Sequence, residues 1–166
     1  MAVVNTNSTN VAAALAAGAE RVFPGHKLHH FNGQVESANG DSIGSTYRLA
    51  TIPSNFVPIK LELAWDALGG SCAADVGIYE MGASGAVVDA DEFASAVSLV
   101  NAGAWTSELE EAGVADIAKM GQPLWKRLGL TSQPVPGKSY DIVATLTGAS
   151  AAAGTVAMIL TGYYAN

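Results

Sequence analysis

From Ile59 to Asp66 the chain alternates large apolar residues with polar or small ones. Ile59, Leu61, Leu63 and Trp65 fall on one side, and Lys60, Glu62, Ala64 and Asp66 on the other. A side-chain period of two belongs to a β-strand with one face buried and one face wet. The flanking segments continue the pattern. Tyr47 to Ile52 is rich in β-formers and stops at Pro53-Ser54-Asn55, while Asp75 to Glu80 resumes the extended pattern after the turn at Leu68-Gly69-Gly70-Ser71. Three strands in a row imply an antiparallel β core. Its interior is expected to hold Ile59, Leu61, Leu63 and Trp65 together with Val76, Ile78, Ile142 and Leu146.

Further along, Met81 to Gly85 is a Gly-rich turn followed by the short apolar run Ala86-Val87-Val88, which makes a second hairpin. Asp89 and Glu92 match a D-x-x-E capping box and predict a short helical turn through Phe93 to Val97. A Ca²⁺ loop would need ligands at regular positions around a central Gly and a terminal Glu, which this run lacks. The period then changes. Leu109, Ala112, Ile117, Met120, Leu124, Trp125 and Leu128 recur at roughly helical spacing, and Gly113, Gly121 and Pro123 interrupt them. Two short helices are expected, about 107–111 and 123–128, with Trp125 packed onto the sheet. Two long segments close the chain, Tyr140 to Leu146 and Thr155 to Tyr164, the second a long apolar strand that needs cover from a sheet or from another subunit.

These elements predict a mainly β fold: an antiparallel two-sheet sandwich, jelly-roll-like, with short helical insertions. An immunoglobulin-like topology is the alternative. Residues 44–166 make the sandwich domain, and residues 1–43 are expected to be an extended N-terminal arm. The first nineteen positions carry no charge, Val11 to Ala19 is too short for a stable isolated helix, and Gly18, Pro24, Gly25, Gly33 and Gly40 interrupt any regular structure up to the sandwich. The arm's apolar residues Val11, Leu15, Val22, Phe23, Leu28 and Phe31 are its candidate protein-binding anchors.

The hydrophobic fraction is 49 % and only 14 % of residues are charged, against ~25 % in ordinary globular domains. A chain with so few charges either has part of its surface covered by another protein or builds its polar surface from Ser, Thr, Asn and Gly. The net charge is −7, and no Lys or Arg lies between Lys60 and Lys119. Nucleic-acid backbones need clustered cations, so nucleic acid is excluded as a direct partner. No secretory leader and no apolar run of membrane-spanning length is visible.

No residue cluster suggests catalysis, a metal or a cofactor. His26, His29 and His30 have helical spacing but lack an acidic or thiol neighbour, and Lys27 lies among them. Cys72 sits by a Gly-rich turn as a small core residue, and Glu108 and Glu111 belong to a solvated charge run. Trp65, Trp105 and Tyr163 are the candidate stacking platforms if the sandwich is instead a fibre-type or carbohydrate-binding module.

The runs from Gly44 to Asn55, Ile59 to Leu68, Asp75 to Glu80 and Val87 to Ser95 resemble small head-associated structural proteins of tailed bacteriophages. Asp116-Ile117, Leu124 to Leu130 and Tyr140 to Val143 continue the likeness. The resemblance covers about 44–165. It implies a capsid decoration, or cement, protein with a jelly-roll-like β-domain that binds the assembled shell. Its partner would be the major capsid protein, on the outside of the head, where it stabilises the shell. The few charges and the long terminal apolar strand predict a homo-oligomer, dimer or trimer, the missing leader predicts assembly in the host cytoplasm, and the missing chemistry predicts no enzymatic activity.

Overall fold

The computed structural model describes residues 27–107, 119–134 and 138–165. Among them are eight strands, β1 (His29–Ser37), β2 (Thr46–Pro53), β3 (Phe56–Trp65), β4 (Ala73–Glu80), β5 (Val87–Ser98), β6 (Gly103–Ser107), β7 (Ser139–Gly148) and β8 (Gly154–Tyr164), and a single helical turn, α1 (Leu124–Arg127). They form two four-stranded sheets, ordered β1-β8-β3-β6 and β2-β7-β4-β5, with antiparallel pairing throughout. Strands equally far from the two ends of the series pair with each other: β1 with β8, β2 with β7, β3 with β6 and β4 with β5. One long hairpin wound over itself gives this order, which is the jelly-roll arrangement.

The core lies between the sheets, because the apolar members of each alternation point inward from both. Leu61, Leu63, Val76, Ile78, Ile142 and Leu146 are all at most 2 % exposed, as their spacing predicts. Ile59 is not among them. The ladder to β8 slips between Pro58 and Lys60, so Ile59 occupies a bulge and is 48 % exposed. The extra residue reverses the phase of the alternation upstream. Phe56, fully buried, takes the inward place. Trp65 packs on the margin of the core, its indole Nε1–H donating to the Asn101 carbonyl at 2.9 Å.

Four sequence expectations change or are narrowed. The stretch assigned to the end of the arm is partly β1, which pairs residue by residue with β8 from His29 to Ser37, so the sandwich begins well before residue 44. Gly33, read as a break, is required there, because a Cβ on it would lie 1.7 Å from the Leu49 carbonyl oxygen of β2. Second, of the two covers left open for the long apolar β8, a sheet or another subunit, the sheet supplies it, with β1 on one side and β3 on the other. The 149–153 connection before β8 crosses from one sheet to the other. Third, the expected helical turn at 89–97 is strand. Val76 opposes Ala94 while Ile78 opposes Asp89, so the β5 residues between them bulge from the ladder. Fourth, Ser107 ends a strand, and the described helix is one turn whose buried contact is Leu124, with Trp125 only partly covered. Residues 108–111 of the other expected helix lie outside the described residues.

Candidate functional site

The described residues offer the surfaces and polar clusters of the sandwich as candidate sites. The margin of the first sheet is β1, and the alternation of its sequence sorts its side chains. Phe31 and Val35 pack against the core, whereas His30, Asn32, Gln34 and Glu36 are exposed. Phe31 meets Phe56 edge-on with ring centroids 5.1 Å apart, and His29 lies 4.5 Å from the Tyr164 ring. Outside, His30 Nδ1 shares a 2.9 Å hydrogen bond with Thr161 Oγ1, and Glu36 accepts one from Thr155 Oγ1. Where β1 ends, Tyr47 of β2 donates to Asp41 Oδ2 at 2.7 Å, and the Ser37 hydroxyl lies 2.8 Å from the Tyr47 hydroxyl oxygen. Burial pushes the Tyr47 hydroxyl up to about 12, while that hydrogen bond and one from the Ala38 N–H hold Asp41 below the ordinary carboxylate value.

The outer side of the second sheet carries a part-buried ion pair. Arg48 of β2 and Asp141 of β7 alternate out of the core, yet Asp141 is 5 % exposed. The connection between β4 and β5 folds over them. Arg48 Nη1 donates to Asp141 at 2.8 Å and its two terminal nitrogens also reach the Glu80 and Gly85 carbonyls, while Asp141 accepts from Thr51 Oγ1 at 2.6 Å and from the Gly82 N–H at 3.0 Å. The guanidinium lies 5.5 Å from the centre of the Tyr79 ring. Charge and hydrogen bonds thus pin a loop whose Met81 is 62 % exposed, beside an open depression of about 470 Å³. Close approach is needed here too, since a Cβ on Gly77 would sit 2.1 Å from the Asp89 carbonyl oxygen.

A second buried cluster was not legible as such. The bulge in β5 turns Phe93 and Glu92 inward, and the Glu92 carboxylate, fully covered, accepts from Arg127 Nε at 2.7 Å and from Lys119 Nζ at 2.6 Å. Arg127 also donates to the Lys119 carbonyl and lies 5.6 Å from the Phe93 ring centre. This network fastens the α1 region onto the sandwich, and all three groups are engaged with one another, which leaves no carboxylate free for acid–base work. Acid and base stand thirty-five residues apart in the chain, and no local pattern connects them.

The remaining sequence-selected residues do not converge. Val11, Leu15, Val22, Phe23 and His26 lie outside the described residues, as do Glu108 and Glu111. Leu28 is 58 % exposed just ahead of β1, and Phe31 belongs to the sandwich. His29 and His30 are strand neighbours on opposite faces, and no group of three or more metal-ligating side chains exists among the described residues. Cys72 is buried, which raises its thiol above the ordinary range and makes it a poor nucleophile. Trp65 and Trp105 lie near β6, whereas Tyr163 pairs with Val57 at the far end of β3, so the three rings do not form one platform. No helix among the described residues is long and apolar enough to cross a membrane.

No protein-family model matches the chain. No curated protein matches it either. Solved structures do share its fold. A chain of the cyanophage Pam1 capsid asymmetric unit aligns with a TM-score of 0.55 at 15 % identity, covering 96 % of this chain and 98 % of that one. A chain of the Ralstonia phage GP4 capsid aligns with a TM-score of 0.55 at 16 % identity over 89 % of each. In both cases the likeness extends over almost the whole jelly roll and not over a fragment of it.

Proposed function

We propose that this chain is a structural protein of a phage virion that binds the outside of the head as a decoration, or cement, protein and stabilises the shell. The observation that carries the reading is the near end-to-end match of its fold to chains found in two phage capsids. The chain's own chemistry is consistent with it. Its buried ionisable groups pair with each other and fasten loops to the sandwich, as a protein that must hold a shape requires. The partner is the major capsid protein, met during assembly in the host cytoplasm. Residues 1–26 extend the contact along the shell or a neighbouring subunit, with Val11, Leu15, Val22 and Phe23 as anchors. A ligand that binds the assembled lattice and not its dissociated subunits stabilises the lattice by mass action.

The test is co-sedimentation of the purified full-length protein with undecorated heads, followed by heating of the complexes. The protein is expected to pellet with heads at saturable stoichiometry and to raise the temperature at which they rupture. A variant lacking residues 1–26 is expected to keep its β-rich circular dichroism but to pellet less and protect less. Absence of full-length protein from the pellet would refute the decoration reading; equal binding and protection by the truncated protein would refute the role of the arm.

A further inference from the structure

Each sheet of an open sandwich has two margins, and natural proteins guard such margins with short strands, bulges, prolines or charges. Three of the four margins here are guarded. β2 has a register slip between Arg48 and Ala50 and ends on Pro53; β5 slips repeatedly and carries Asp89 and Asp91; β6 has five residues and a slip of its own, with Trp105 at a φ of 22°. β1 lacks the shortness, bulges and prolines, and its one acidic side chain is Glu36. Its nine residues run in unbroken register with β8, they include no Lys, Arg or Pro, and among the described residues only β8 pairs with them.

The sequence of this margin is complementary to itself. Two copies of His29–Ser37 set antiparallel with Gly33 opposite Gly33 place Phe31 against Val35, Asn32 against Gln34 and His30 against Glu36, each pair occurring twice by symmetry. Directly opposed residues in an antiparallel pair lie on the same face. The exposed face therefore matches amide to amide and imidazole to carboxylate, and the inner face joins the two half-buried apolar residues that fringe the core. Registers centred on Asn32 or Gln34 keep the faces but lose the His30–Glu36 match, and a shift by one residue sets inner side chains against outer ones.

We propose that β1 is the surface through which two copies of this chain associate, pairing antiparallel about a two-fold axis at Gly33 to make one continuous eight-stranded sheet. The contact is isologous, so it closes at two subunits. It depends on the strand alone and not on the capsid reading.

Sedimentation velocity of the full-length protein over a range of concentrations tests it, with circular dichroism melting to check each variant's fold. The wild type is expected to be a monomer–dimer system. Glu36→Lys sets a cation opposite His30 and is expected to weaken dimerisation about tenfold. The exchange His30→Glu with Glu36→Lys restores opposite charges and is expected to return it near the wild-type value. Asn32→Lys with Gln34→Lys, whose side chains point to solvent in the single subunit, crowds four lysines at the axis and is expected to give monomer. A wild type that stays monomeric, as it would if residues 1–26 of the same chain occupied this margin, overturns the proposal. So does a trimer, or a dimer indifferent to the paired lysines.

Discussion

Removing Glu92 should damage this protein severely, because its covered carboxylate neutralises a buried guanidinium. In Glu92→Ala the Arg127 guanidinium, 5 % exposed, keeps its hydrogen bond to the Lys119 carbonyl and its place over the Phe93 ring but loses the carboxylate that neutralises it. Breaking a buried ion pair from one side costs about 3–5 kcal/mol, because the surviving charge stays desolvated and unpaired. For a domain of this size each kcal/mol moves the melting temperature by about 2–4 °C, so a drop of roughly 10 °C is expected. Lys119, whose side chain is 33 % exposed, can turn to water once its partner is gone. Lys119→Ala should therefore cost about 1 kcal/mol or less. Replacing both buried partners with apolar residues of similar volume, Glu92→Met with Arg127→Met, removes the stranded charge and should recover most of the loss. Urea unfolding followed by circular dichroism and tryptophan fluorescence, at one fixed protein concentration, measures all four proteins. A Glu92→Ala penalty below about 1 kcal/mol, or a double replacement as damaging as the single one, would refute the account of this cluster as a charge-neutralised clasp.

Two further experiments probe the packing and the ionisable network at β1 and β2. Leu61→Ala removes a fully buried side chain and should cost about 2–5 kcal/mol, whereas Ile59→Ala, in the bulge, should change urea stability by less than about 1 kcal/mol; equal costs would mean that the bulge is misplaced. Tyr47 in the folded state holds its proton up to about 12 from an ordinary value of 10.0, so its contribution is complete below pH 10 and falls as the pH rises through that window. Asp41 is shifted the other way, so its contribution is present above its ordinary 3.8 and is lost as the pH falls through the depressed folded value. Tyr47→Phe should flatten the alkaline decline in urea stability and Asp41→Asn the acid one, and unchanged slopes would show that this network does not govern either limb.

How much of this was legible from the residues depended on how local its cause was. The alternation at Leu61 and Leu63 and the inward set of β4 and β7 follow from a period of two, and the two-sheet β architecture follows from them. Ile59 fitted the same period but sits in a bulge that the partner strand β8 imposes. In β1 the alternation was present from Phe31 to Val35, but Gly33 and the preceding Pro24-Gly25 read as breaks; only the closeness of the Leu49 carbonyl explains the glycine. Asp89 and Glu92 had the spacing of a helix cap, and the tertiary contact with Arg127 decided otherwise. Arg48 and Asp141 likewise stand ninety-three residues apart. Each meets its partner only because β2 and β7 are neighbours.

The position of β8 also sets an order of events during synthesis. It lies between β1 and β3, which do not pair with each other, so three of the four strands of its sheet remain without their central ladder until the chain has been made through residue 164. The other sheet waits in the same way for β7, which joins β2 to β4. Only the β4–β5 hairpin and the β3–β6 pair are available to a nascent chain. Ribosome-bound intermediates should therefore expose unpaired edges and apolar faces, and the two sheets should close late and nearly together, as expected where most contacts are far apart in sequence.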